Sequence, residues 1–171
     1  TILLRCCVAG AAVLFCAAGM ACAPHPSPVR PPIDNMRVFN EPFEKVWSGM
    51  LLSVTTGEET LSLVDKSTGI MTFQRVIPVK MLDTYAFDES GMLISSATAN
   101  VVVRITAENP RRTKILMNTK ITATGKDVLD VLLSRQRQIV LDSKGWLERE
   151  YFERLVRVLT DIRAGNPSGV Q

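Results

Sequence analysis

Two stretches that alternate apolar and polar side chains, joined by a short turn, constrain this chain more than any other feature. Ala97, Ala99, Val101, Val103 and Ile105 fall on one face of the first, opposite Thr98, Asn100 and Arg104. Ile115, Met117, Ile121 and Ala123 line one face of the second, against Lys114, Asn118, Lys120 and Thr122. Successive side chains of an extended strand point to opposite sides, so this period of two predicts two long strands with one apolar and one wet face. The segment 108–112, with Asn109, Pro110, Arg111 and Arg112, is turn chemistry and predicts an antiparallel pair. Such a sheet needs a second layer over its apolar side.

Two helical stretches can supply that layer. Phe43, Val46, Trp47, Met50 and Val54 recur at helical spacing, with Asn40 as a candidate cap, Pro42 in the first turn and Gly57 at the end. Near the C-terminus Leu147, Tyr151, Leu155, Val158 or Leu159, and Ile162 form a second stripe. Glu148, Arg149, Glu153, Arg154 and Arg157 are expected outside it, with residues 142–145 as a turn before it and Gly165 closing it. Between the first helix and the long strands, Leu61 and Leu63 alternate, Asp65 to Gly69 make a turn, and Met71, Phe73 and Arg75 alternate back, which predicts a hairpin. Residues 78–95 read as irregular, and residues 127–141 fit either a helix or a short strand pair. The expected class is α+β: an antiparallel sheet of four to five strands with two helices packed on one face, over residues 36–163. Residues 164–171 are expected to be a disordered tail.

The N-terminal part reads differently. Residues 6–23 are an uncharged, Ala-rich run after Arg5, and the first acidic residue is Asp34. A basic residue, a short apolar segment and small residues at its end have the pattern of a bacterial export signal, assigned here to residues 1–21. Three outcomes fit its end. Gly19, Met20, Ala21 and Cys22 partly match a lipoprotein signal, which makes Cys22 the lipid attachment site. Gly19 and Ala21 also satisfy ordinary signal-peptidase cleavage. An uncleaved anchor is the third, although the run is thin in strongly apolar residues for a spanning helix. Residues 24–32 hold five prolines in nine positions, an extended tether with no core of its own. A proline-rich spacer directly after a Cys suits a lipid-anchored domain, so residues 22–35 are read as lipidated Cys and tether. More than one acyl chain on a single Cys holds a protein stably on a bilayer. Ala23, rather than Asp, after Cys22 is compatible with the outer membrane, facing the periplasm.

Cysteine and charge narrow the chemistry. After Cys22 there is no cysteine, so the exported domain has no disulfide framework, and Cys6, Cys7 and Cys16 fall inside the signal. His25 is the single histidine and sits among the prolines. Without the first 22 residues the chain has 19 basic and 17 acidic side chains, too balanced to imply a nucleic-acid partner. Nucleophilic catalysis would have to rest on Ser67 with Lys66 or Ser143 with Lys144, neighbours in turns. Carboxylate candidates are Glu58 with Glu59, and Asp83 with Asp88 and Glu89, where a solvated charge is the default. The Asp-containing turns at 65–69, 88–91 and 142–145 lack calcium-loop spacing. No cofactor and no metal is expected.

The order of elements resembles a known group. An opening VFNEPFEKVWSGMLLSV helix, LSLVDKSTGIMTFQ as a hairpin, long strands and a closing DSKGWLEREYFERLVRVL helix are similar to the BamC-like lipoprotein domains. The resemblance covers about residues 36–163 and is carried by Phe43, Val46, Trp47, Asp65, Gly69 and Ile70. It implies a small α+β domain of the bacterial envelope, here single rather than tandem, and transfers no functional residue. PFEKVW also resembles the start of helix-grip domains, in which a long C-terminal helix closes a sheet over a ligand cavity. Two expectations follow: a non-enzymatic lipoprotein serving as a tethered interaction module for an envelope protein, or a binding module for an apolar small molecule or lipid. Trp146, Arg111 and Arg112 are the candidate partner contacts, with Arg135 and Arg137 as further cations; Trp47 is expected in the core.

Overall fold

The structure, a computed structural model, describes residues 30, 32–127 and 135–164. The expected signal, Cys22, His25 and most of the tether lie outside the described residues, as do 128–134 of the ambiguous segment and the tail from 165. In chain order the elements are β1 (Met36–Phe39), α1 (Phe43–Thr55), β2 (Thr60–Asp65) and β3 (Ile70–Ile77). A 3-10 turn (Val79–Met81), α2 (Leu82–Tyr85) and β4 (Ala86–Phe87) follow, then β5 (Leu93–Asn109), β6 (Arg112–Lys126), β7 (Arg137–Ser143) and α3 (Trp146–Arg163).

The class is α+β, and the sheet is antiparallel throughout, in the order β2-β3-β5-β6-β7-β4. It has seven strands instead of four to five, and three helices instead of two. The additions are short or were ambiguous. β1 has four residues and β4 two, too few to leave a readable alternation. β7 emerges from the ambiguous segment, with Leu141 and Ser143 turned inward. β1 and β7 lie end to end along the same side of β6, against Thr113–Leu116 and Lys120–Gly125 respectively.

The long strands follow the alternation. Every apolar residue named for them above is buried, at 2 % exposure or less. They form one core with Val46, Trp47, Met50 and Val54 of α1 and with Leu147, Tyr151, Phe152, Leu155 and Leu159 of α3. Phe43 stacks on Trp47 at 5.9 Å, and the Phe73 ring meets Tyr151 edge-on at 4.9 Å. Gly49 lets the two helices approach: a Cβ there would sit 3.1 Å from both Leu155 Cδ1 and Leu159 Cδ2.

Several local expectations need correction. Asn40 does not cap α1; Pro42 occupies the cap position, and its carbonyl accepts from the N–H groups of Lys45 and Val46. A register shift between Leu61 and Leu63 puts Leu63 out of phase, leaving it 51 % exposed. Asp142 and Ser143 belong to β7, so the turn before α3 is reduced to Lys144 and Gly145. Glu148 is buried, because the α3 face on the core includes Glu148 and Phe152 beside Leu147, Tyr151, Leu155 and Leu159, whereas Ile162, expected on the stripe, lies past the core and is exposed.

The hairpin turns form as their residues dictate. Asp65 Oδ1 accepts from Ser67 N, Ser67 Oγ and Thr68 N, and Gly69 follows in the left-handed region at φ 68°. A side chain at Gly69 would overlap the Ile105 carbonyl oxygen, so glycine is required there for space as well as conformation.

Candidate functional site

Three places in the domain gather chemistry-bearing side chains. The first is a charged cluster on the helix side of the sheet. Arg75 is in phase with Met71 and Phe73 on β3, so the strand aims a guanidinium into an otherwise apolar layer. Its Nη1 lies 2.9 Å from Glu150 Oε2 on α3. Tyr85 of α2 donates to the same oxygen at 3.4 Å, and Arg154 Nη2 donates to Glu150 Oε1 at 2.6 Å. Arg154 Nη1 and the Tyr151 hydroxyl both donate to Glu59 Oε1, each at 2.9 Å. The Glu59 side chain is 1 % exposed, and its Oε2 is buried without a hydrogen bond.

The electrostatics of the cluster are self-contained. Burial pushes the Glu150 carboxyl up, but Arg75 and then Arg154 outweigh it and hold the group below the usual carboxylate range. Burial, reinforced by the Glu59 carboxylate, raises the Tyr151 phenol above its ordinary value. For Arg75 the Glu150 carboxylate overcomes desolvation and keeps the guanidinium charged. Two carboxylates thus face two guanidiniums, and both phenols direct their protons at carboxylates. The set braces the start of β2, the middle of β3, α2 and α3 against one another. The sequence pattern singles out Glu59, Arg75, Tyr151 and Arg154 separately, marks neither Tyr85 nor Glu150, and does not assemble the set. The available signal was Arg75 itself, a charge on the apolar phase of a strand.

The sequence-derived catalytic pairs do not come together. Ser67 Oγ donates to Asp65, while Lys66 pairs with Glu44 on α1. Ser143 Oγ donates to the buried Glu148 at 3.0 Å, while Lys144 Nζ donates to the Asp83 carbonyl. Glu58 is exposed whereas Glu59 is enclosed. Asp88 closes its own turn by accepting from Ser90 N and Oγ.

The second place is the corner at the start of α3. Trp146 is 49 % exposed, and the Arg149 guanidinium lies 4.8 Å from its ring centre. With Thr84, Tyr85, Glu150 and Glu153 they line a notch of about 190 Å³.

The third is the sheet face away from the helices. Across β3, β5, β6 and β7 the register aligns Val76, Thr98, Thr122 and Val140, and the next row is Gln74, Asn100, Lys120 and Asp142. Val76 and Val140 are 72 % and 68 % exposed. Arg104, Lys114 and Lys120 make this face basic, and it runs to the β5–β6 tip. There Arg112 pairs with Glu108 at 3.1 Å, and Asn109 Oδ1 accepts from the Arg111 N–H.

Trp146 and the Arg111–Arg112 tip are separate sites. Thr113, next to the tip, donates to the Glu41 carbonyl, and the Glu41 carboxylate pairs with Arg163 at the far end of α3. At 1.5 Å per residue, α3 puts about 26 Å between Trp146 and that end. Compared with models of known families and with curated proteins, the chain matches none.

Proposed function

We propose that this protein is a non-enzymatic bacterial envelope lipoprotein, held on the outer membrane by lipid on Cys22. Its α+β domain acts as an interaction module for an envelope protein. The BamC-like reading belongs to the same proposal. It is supported by the order of opening helix, hairpin, long strand pair and closing helix.

The observation that carries the proposal is the sheet face that none of the described helices packs on. Its helix side is closed by aromatic and aliphatic contacts between β3, α1 and α3, whereas the outer side presents exposed Val76, Val102 and Val140 beside Arg104, Lys114 and Lys120. A largely polar face with separate exposed valines, carrying Arg104, Lys114 and Lys120 against the acid Asp142, suits a protein partner whose contact surface carries acidic groups. The Phe73–Tyr151 contact packs α3 directly on the sheet, between the layers where the helix-grip alternative would hold its ligand, and this favours surface contact. The charged cluster supports a bracing role, because its acids and bases neutralise one another.

The test combines anchor and partner. Intact mass of the envelope-extracted protein should show diacyl or triacyl mass on a chain beginning at Cys22, lost in Cys22→Ser. A photo-crosslinker at Val102 should capture one protein in the membrane fraction, and Lys120→Glu should weaken that capture. An unmodified chain in the soluble periplasm, or no adduct from Val102, overturns the corresponding half.

A further inference from the structure

The place where the chain enters the domain bears on what the Trp146 corner meets. Ile33 packs on Gly145, the residue before Trp146; a Cβ on Gly145 would lie 3.0 Å from Ile33 Cγ2. Asn35 then joins the sheet, its carbonyl accepting from Met117 N at 2.8 Å. The peptide that links the domain to Cys22 therefore attaches beside Trp146, at the opposite end of α3 from the Arg111–Arg112 tip. Ten residues separate Cys22 from Ile33, at most about 31 Å if extended.

The side chains at this end have an interfacial character. Trp146 is half exposed, and Ile33, Val79 and Met81 are each about 40 % exposed. Val79 and Met81 lie on the 3-10 turn that leads directly into α2, whose Thr84 and Tyr85 share the notch with Trp146. Lys80 sits between Val79 and Met81 in the turn, Lys144 precedes Gly145 and donates to the Asp83 carbonyl, and Arg149 is stacked on the indole. The acids here are Asp34, Asp83, Glu153 and Glu150, and Glu150 is already held by Arg75 and Arg154. Charge is thus near balance, and the attraction comes from the indole and the apolar side chains. Trp, with an apolar body and one N–H donor, concentrates where bilayer meets water, and Lys and Arg reach the headgroups from the same depth.

We infer that the Trp146 corner rests on the phospholipid surface, fixing the domain's orientation so that the Arg111–Arg112 tip points away from the bilayer. This rests on the tether reading. Tethering makes a weak contact sufficient: a short linker gives an effective concentration on the order of mM, so an interfacial affinity of that order is half occupied.

The chain has two tryptophans, and Trp47 is buried at 4 %, so the fluorescence of Trp146 can be isolated. The full chain, extracted with its native N-terminus, is reconstituted into phosphatidylethanolamine–phosphatidylglycerol vesicles with plain or brominated acyl chains. Brominated lipid should quench the wild type, with a blue-shifted Trp146 component, and should not quench Trp146→Phe. Absence of quenching in a chain whose mass shows lipid on Cys22 overturns the inference and leaves the anchor standing. Quenching in a chain without that lipid supports the contact and removes only the anchor; neither lipid nor quenching removes both.

Discussion

Gly57 lies so close to the Glu59 carboxylate that a Cβ at Gly57 would overlap Glu59 Oε2 and come within 2.9 Å of Arg154 Nη1. The carboxylate cannot swing clear, because its other oxygen is bonded to both Tyr151 and Arg154 and the side chain is enclosed. Gly57 is therefore required for close approach rather than for an unusual backbone angle. Gly57→Ala should break one or both of those bonds at a cost of about 1–3 kcal/mol. In a domain of this size that lowers Tm by roughly 3–12 °C, readable by thermal melting. A melting curve superimposable on wild type would show that Glu59 relocates freely.

Arg154 bridges two carboxylates with one planar fork, to Glu59 at 2.9 Å and to Glu150 at 2.6 Å. Arg154→Ala leaves the enclosed Glu59 charge with only the Tyr151 hydroxyl and should cost about 3–5 kcal/mol. Arg154→Lys should rescue little, since a single ammonium cannot reproduce the two-sided fork. A double-mutant cycle with Glu59→Gln should give a coupling above about 1 kcal/mol. Additive losses in urea titrations would mean that the pair contributes nothing as a pair.

The layers of the domain were legible from alternation and helical spacing, because Val101, Met117, Met50 and Leu155 are simple core positions. What escaped reading was set by tertiary partners. β4 forms only because Ala86 and Phe87 meet Asp142 and Ser143 at the sheet edge. Leu63 looked like a core alternate until the register shift beside it changed its phase. Glu148 is an acidic side chain that spacing assigns to solvent, yet in the core it accepts a hydrogen bond from Ser143. The charged cluster joins residues from 59 to 154, and no local pattern predicts that Arg75 will find Glu150. The open sheet face was foreseeable from its wet alternates, but the distance between Trp146 and Arg111 was not.

Stability should depend on pH at both ends of the range. Glu150 and Glu41 have folded pKa values below their usual range, Glu41 because Arg163 and Lys45 outweigh its desolvation. A lowered folded value stabilises above the unfolded pKa and is lost as pH falls through the folded one, so stability should decline from about pH 5 downward. Tyr151 is shifted the other way. Its stabilisation is complete below the unfolded value near 10 and fades as pH rises toward the higher folded value. Denaturant titrations from acid to alkaline pH should give a plateau between these limits. Glu150→Gln should flatten the acid limb and Tyr151→Phe the alkaline one; an unchanged alkaline limb in Tyr151→Phe would assign it to other groups.

Gly49 sets two effects against each other. Replacing a mid-helix glycine with alanine favours the helix by roughly 0.5–1 kcal/mol. The new methyl would meet Leu155 Cδ1 and Leu159 Cδ2 at 3.1 Å, which is crowded, but both are ends of side chains that can rotate by a few tenths of an ångström. Gly49→Ala should therefore fall within about 1 kcal/mol of wild type. Gly49→Val adds branches that those leucines cannot evade without moving α1 off α3, and should cost about 1–3 kcal/mol. The comparison isolates helix contact from helix propensity, because valine at an exposed α1 position such as Ser48 would show only the propensity effect. Equal losses for valine at 49 and at 48 would mean that the α1–α3 approach tolerates a side chain, and the close packing of these two helices would not depend on glycine.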